Sequence, residues 1–214
     1  MSVVFGGKSM SGSESGTLEA ILSAAKAEFL EKGFKSASLR NIVKTAGVTT
    51  GAFYGYYKSK EELFNALAGR QYETVMKKFT EAQESFAGLP IEKQRDNMGK
   101  ISGDCMEWIT EYIYKNFDVF KLILTCSEGT RYENMIHDMV EIEVGATHRF
   151  AANMRRLGYP EYSVDPQLEH MLCSGLFSAY FELVVHDMPY EKAKGYVRDL
   201  RNFYTAGWQK IMGF

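Results

Sequence analysis

The chain has little that would break a helix. Only four prolines interrupt 214 residues. No stretch keeps the strict apolar–polar alternation of a half-buried strand. With Ala, Leu, Met, Glu and Lys abundant, these absences predict an all-α fold. Cysteine is scarce as well. Cys105, Cys126 and Cys173 are far apart and odd in number, which gives no disulfide framework and predicts a reducing, cytoplasmic setting. The histidines (His137, His148, His170, His186) form no His-x3-His pair, and no Glu-x-x-His occurs. His170 and Cys173 share a helix face, but two ligands do not hold an ion, so neither metal nor cofactor is expected. Long apolar runs are missing too. GLFSAYFELVV is interrupted by Glu182 and is too short to span a bilayer, so no membrane partner is expected. The opening MSVVFGGKSMSGSESG lacks a basic region followed by an apolar core, and residues 1–16 read as a flexible tail rather than a signal peptide. No strand precedes Gly6-Gly7-Lys8, and spacing assembles no Ser-His-Asp or Cys-His set. An enzyme is therefore not expected.

Charge is present but uneven. Residues 17–60 carry seven basic side chains (Lys26, Lys32, Lys35, Arg40, Lys44, Lys58, Lys60) against three acidic ones (Glu19, Glu28, Glu31). The whole chain is nevertheless at −2. A basic module on an acidic body suggests a polyanionic partner for the first part only.

That module has a legible order. Leu18, Ile21, Leu22, Ala25 and Phe29 form one face of a helix over 17–32, which Gly33 ends. Ser38 then caps a short helix whose inward residues are Leu39, Ile42, Val43 and Ala46. Gly47 suits a tight turn, and Thr49 caps a third helix over 50–56. Short helix, Ala-Gly-Val turn and second short helix have the spacing of a helix-turn-helix. Ser59 and Glu62 have capping-box spacing and open a fourth helix that runs towards Phe86.

The stretch VTTGAFYGYYKSKEEL holds Phe53, Tyr54, Tyr56 and Tyr57 with Gly51 and Gly55. Phe53 and Tyr57, four apart, belong inward. The third helix enters a major groove with its amino-terminal residues towards the bases. Thr49 and Thr50 stand there, with hydroxyls for phosphates or base edges and methyls for thymine. Gly51 lets the backbone come close. Tyr54 points outward, where its phenol reaches a phosphate oxygen. Lys60, in the first turn of the next helix, favours a phosphate.

SLRNIVKTAGVTTGAFYGYYKSKEELF resembles the DNA-binding signature of TetR-type bacterial transcription regulators. The likeness covers about Leu18 to Leu67. Arg40, Ile42, Ala46-Gly47-Val48, Gly51, Tyr54, Tyr57, Lys60 and Leu63 stand where the family has such residues. The family often has His-Phe where this chain has Tyr56-Tyr57, and alanine at Val43. The resemblance implies an all-helical homodimer with about nine helices per subunit: a three-helix head (17–62) and a larger ligand-binding and dimerisation domain (63–214). It implies a pseudo-palindromic double-stranded operator and a small, largely apolar effector whose binding spreads the two heads. Carried over residue by residue, it makes Arg40, Thr49, Thr50, Gly51 and Tyr56 groove-facing, with Ser38, Tyr54 and Lys60 holding phosphates. The alternative is a helical small-molecule sensor that reads no DNA.

Beyond Gly88 and Pro90 the pattern predicts helices over 92–115, 118–126, 131–156, 166–187 and 190–212. Trp108, Tyr112, Phe120, Met139 and Phe177 are the expected effector-pocket residues. A buried acid among Glu107, Glu111 and Glu143 would suit a cationic ligand. LEHMLCSGLFSAYFELVV and YVRDLRNFYTAGWQKIM are long, amphipathic and aromatic. They are expected to form the dimer interface through Gly175, Ser178, Phe203 and Trp208.

Overall fold

The computed structural model describes residues 12–159 and 164–213. Among them are nine helices and no strand: α1 (Gly12–Ser36), α2 (Leu39–Thr45), α3 (Thr50–Tyr56), α4 (Lys60–Ala87), α5 (Ile91–Lys115), α6 (Phe117–Thr125), α7 (Met135–Arg156), α8 (Pro166–Val185) and α9 (Tyr190–Ile211). The all-α expectation holds. The first helix begins at Gly12, five residues before the expected start at residue 17. Residues 1–11 of the expected tail lie outside the described residues.

The chain divides into two compact units. The first comprises the described residues to Arg70 together with Lys121–Glu133. Ile21, Ala25 and Phe29 supply the α1 face, and Ile42, Val43, Phe53, Tyr57, Leu63 and Phe64 complete the core. Phe64 is its hub. Its ring lies 5.1 Å from Phe29, 5.5 Å from Phe34 and 5.7 Å from Tyr132. Gly33 takes a left-handed φ of 71° and turns the chain out of the helical path. The next residue, Phe34, donates its N–H to the Cys126 carbonyl at 2.8 Å. The Tyr132 hydroxyl donates to Asn65, so residues 121–133 are part of this core.

The second unit comprises Gln71–Phe120 and the described residues from Asn134. α8 is long and apolar enough to cross a membrane by length and composition, with a mean hydropathy of 1.2. Here it packs Cys173, Phe177, Tyr180, Phe181 and Val184 into the core. Asp165 caps it by accepting the N–H groups of Gln167 and Leu168, with Pro166 at the first helical position. Buried Gln94 donates to the Ala87 and Leu89 carbonyls, both at 3.2 Å, and accepts from Asn153 at 3.1 Å. It thereby fixes the α4–α5 corner at the Ala-Gly-Leu-Pro break. The three cysteines are buried free thiols. Burial pushes Cys105 up to about 11 and Cys173 up to about 12, so neither forms a thiolate at neutral pH. Cys173 is interior whereas His170 is exposed, so the two do not share a working face as the spacing suggested.

Candidate functional site

The α2–turn–α3 corner is built by local hydrogen bonds. Ser38 Oγ accepts from the Asn41 N–H at 3.4 Å, and Thr49 Oγ1 from the Ala52 N–H at 3.1 Å. Both hydroxyls keep their O–H free to donate outward. α2 ends in a Schellman turn. Val48 N–H reaches the Val43 carbonyl and Gly47 N–H the Lys44 carbonyl, both at 3.2 Å, with Gly47 at φ 68°. This turn sets the angle between the two helices. Phe53 and Tyr57 then face the core as expected. Burial, reinforced by the Glu62 charge, pushes Tyr57 up to about 12, so it stays a neutral phenol.

α2 is also tied to α1. The Glu28 carboxylate accepts from the Ser38 N–H at 3.0 Å, from Lys32 Nζ at 3.1 Å and from Asn41 Nδ2 at 3.5 Å. The Ser38 N–H is the main reason its pKa lies below the ordinary 4.5, with Lys32 and Asn41 adding to it against the desolvation penalty. A carboxylate with a lowered folded pKa stabilises above its unfolded value, and that contribution is lost as pH falls through the folded value. Glu28→Gln is therefore expected to cost the head about 1–2 kcal/mol at pH 7. The deficit should shrink as urea unfolding is repeated at successively lower pH. An equal deficit at both ends would show that the charge is not its source.

On the outward side, Arg40, Thr49, Thr50, Gly51 and Tyr54 are all exposed, Tyr54 by 54%. The glycines on α3 have no internal reason. A Cβ on Gly51 would meet nothing nearer than Thr49 Oγ1 at 3.9 Å, and one on Gly55 nothing within 4 Å. Neither has a left-handed φ. Each costs helix stability and faces open space.

Two residues differ from the outward placement. Tyr56 is half-buried, and its hydroxyl donates to the Glu14 carbonyl at 3.4 Å. It lies one position before the inward Tyr57, so its ring leans towards α1 rather than fully outward. Lys60 Nζ donates to the Lys35 and Ala37 carbonyls, each at 3.1 Å, and lies 4.6 Å from the centre of the Phe34 ring. It ties the α1–α2 linker to the start of α4, with one ammonium N–H left for a phosphate. At that same start, Ser59 Oγ accepts the Glu62 N–H, while Glu62 reaches back to the Lys58 N–H rather than to Ser59.

The second unit holds a partly open cavity of about 130 Å³. Its walls include Phe79, Phe86, Phe150, Phe177, Met98 and Trp208. Of the five expected pocket residues, Phe177 lines it and the other four do not. Trp108 and Tyr112 stack on each other at 5.1 Å, while Phe120 and Met139 are core. Two expected interface residues also serve the interior. Gly175 leaves room for the Tyr204 hydroxyl, which would stand 2.7 Å from an added Cβ. Trp208 packs on the Phe150–Met154–Met212 cluster. Ser178 and Phe203 are exposed, Phe203 by 74%.

Among the three acids considered from sequence, Glu143 is the one in the cavity wall. It is hemmed in by protein yet opens on the cavity interior. Gln83 Nε2 donates to it at 2.6 Å. Desolvation pushes its pKa up to about 7, against the lowering effect of Gln83.

These features define an all-helical protein with a helix-turn-helix head and a separate cavity-bearing helical unit. Residues 21–67 match the sequence profile of bacterial regulatory proteins of the tetR family. The match falls on the head, in agreement with the resemblance carried by its motifs. Over 54 residues the chain is 44% identical to the HTH-type transcriptional repressor BepR of Brucella suis, covering 25% of this chain and 26% of that protein. Over 80 residues it is 35% identical to the regulator AcrR of Shigella flexneri, covering 37% of each. The matches therefore span between a quarter and two fifths of those relatives. A TetR-family regulator from Streptomyces coelicolor shares the fold with a TM-score of 0.55 at 18% identity, covering 95% of this chain and 96% of that one. The regulator PfmR of Thermus thermophilus does so at 0.50 and 17%, covering 87% and 93%.

Proposed function

We infer that the protein is a cytoplasmic transcriptional regulator, a repressor that binds a pseudo-palindromic operator as a homodimer and is released by a small effector. The observation that carries the DNA-binding part is the outward face of α2 and α3. It presents Arg40, Thr49, Thr50 and Tyr54 around two glycines that the fold itself does not require. Arg40 and Thr50 read bases, while Ser38, Tyr54 and the remaining N–H of Lys60 hold phosphates. The repressor direction is taken from BepR, a named repressor with a similar head.

The dimer part is supported by an exposed stripe on α8, formed by Leu168, Met171, Ser178 and Val185, and by Tyr196 and Phe203 on α9. Their spacing places the α8 residues on one side of the helix, opposite Cys173, Phe177 and Tyr180. A second copy of the same surface would bury them with two-fold symmetry.

The cavity indicates the effector. Its walls are largely apolar, Glu143 is the acid that faces in, and the one cation in the lining, Arg201, is paired with Glu107 at 3.7 Å. An apolar molecule bearing a protonated amine fits this pairing, with Glu143 and Gln83 around the cation. Glu143→Gln is expected to weaken such a ligand at least about ten-fold while leaving a neutral isostere unchanged. Equal losses for both would assign Glu143 a structural role.

The whole reading is tested by selecting bound sequences from a randomised duplex library at two salt concentrations, with the ligand-free protein. An inverted repeat should be enriched. Arg40→Ala should alter the base preference, and Tyr54→Phe should weaken binding to all sequences alike. Salt-sensitive retention without a motif would leave only a basic surface. No retention in any ligand state would make the chain a sensor that reads no DNA.

A further inference from the structure

We propose that His137, Glu141 and His170 form a binding site for a late first-row divalent cation of the zinc class. His137 and Glu141 are four apart on α7 and share a face of that helix. α8 packs against this face and brings His170 to the pair. One ligand atom from each of the three lies within 4.8 Å of the other two. The imidazole rings of His137 and His170 are 6.2 Å apart between centres. His170 Nε2 and Glu141 Oε1 are 3.6 Å apart.

That separation is informative. It is too long for a hydrogen bond, so the pair is not closed on itself. Two ligand atoms bound to one tetrahedral zinc at about 2.0–2.2 Å stand roughly 3.4 Å from each other. Small side-chain rotations therefore complete the set without moving either helix. His170 is also oriented from behind. Its Nδ1 lies 3.3 Å from the hydroxyl of Ser174, one turn further along α8. That contact directs Nε2 towards Glu141, as outer partners of metal-bound imidazoles do.

Two imidazoles with one carboxylate suit zinc, nickel or copper rather than magnesium or calcium, which take oxygen ligands. All three side chains are exposed. The ion enters from solvent, and a tetrahedral fourth position stays open to water or another ligand. The cysteines are buried and away from solvent, so they do not compete. A bound ion ties α7 to α8. The His-x3-Glu spacing stood in the sequence at 137–141, but the third ligand arrives only through the α7–α8 packing.

The test uses the untagged full chain, stripped with a chelator and titrated calorimetrically with Zn²⁺. Co²⁺ is titrated in parallel and followed by its visible absorption bands. One ion per chain is expected, with a rise in melting temperature on Zn²⁺ addition and no response to Mg²⁺. His137→Asn and His170→Asn should each weaken binding at least about ten-fold, and Ser174→Ala should weaken it by less. These positions are exposed, so the metal-free melting temperatures should match the parent. The proposal is overturned if the His137→Asn/His170→Asn double variant still binds one equivalent with the parent affinity. No binding up to about 1 mM, the weak end of specific affinity, would overturn it too.

Discussion

Replacing Phe64 by alanine is expected to destabilise the first unit by about 3–5 kcal/mol. The side chain is fully buried and meets three aromatic rings, those of Phe29, Phe34 and Tyr132. Its removal leaves a cavity that those rings cannot close without breaking other contacts. Domains of ordinary stability have about 5–15 kcal/mol in total, so the loss approaches the whole. Urea unfolding followed by near-UV circular dichroism should show the first transition shifted far down, and DNA binding should fall with it. Phe64→Leu should lose markedly less, because most of the volume remains. A Phe64→Ala loss below about 1 kcal/mol would mean that the ring cluster is not the core of this unit.

Alanine at Gly51 and Gly55 is expected to act in opposite directions on stability and function. Open space surrounds both positions, so the added methyl groups meet no internal obstacle. Relative to glycine, alanine favours helix by up to about 1 kcal/mol per site. The head should therefore melt at a higher temperature. Operator affinity should fall at least about ten-fold for Gly51→Ala, because the methyl occupies the space through which the helix backbone nears the duplex. A variant that is more stable and binds as well as the parent would remove close approach as the reason for the glycine. A less stable variant would contradict the open environment itself.

Local order was well legible in the sequence. Helix α3 runs from Thr50 to Tyr56 with Thr49 as its cap, as its residue pattern predicted. The α4, α5, α8 and α9 starts fall within one residue of the expectation. Caps, turn glycines and prolines act over a few residues, so a sequence records them. The cavity was not legible in the same way. Trp108, Tyr112 and Phe177 have the same kind of helical spacing. Only the neighbour that each meets decides whether it faces a void, a stacked ring or core. Gly175 is a similar case, since its small size answers to Tyr204 on another helix. Glu143 could be named as a candidate acid, but its burial depends on Gln83 and the aromatic walls around it. The packing of residues 121–133 into the head left no mark in the periodicity, because it rests on contacts between distant segments.

That last feature bears on the order of events during synthesis. The head's core needs the Cys126 carbonyl for the Phe34 N–H and the Tyr132 ring beside Phe64. Fifty residues, Gln71–Phe120, are translated between its two parts. At about 5–20 residues per second, roughly 3–12 s separate the emergence of Arg70 from that of Tyr132. Throughout that interval the nascent helix-turn-helix has its caps and its Schellman turn but not its full aromatic cluster. The surface proposed to read DNA therefore matures after α5 has left the ribosome, although every residue of that surface was made first.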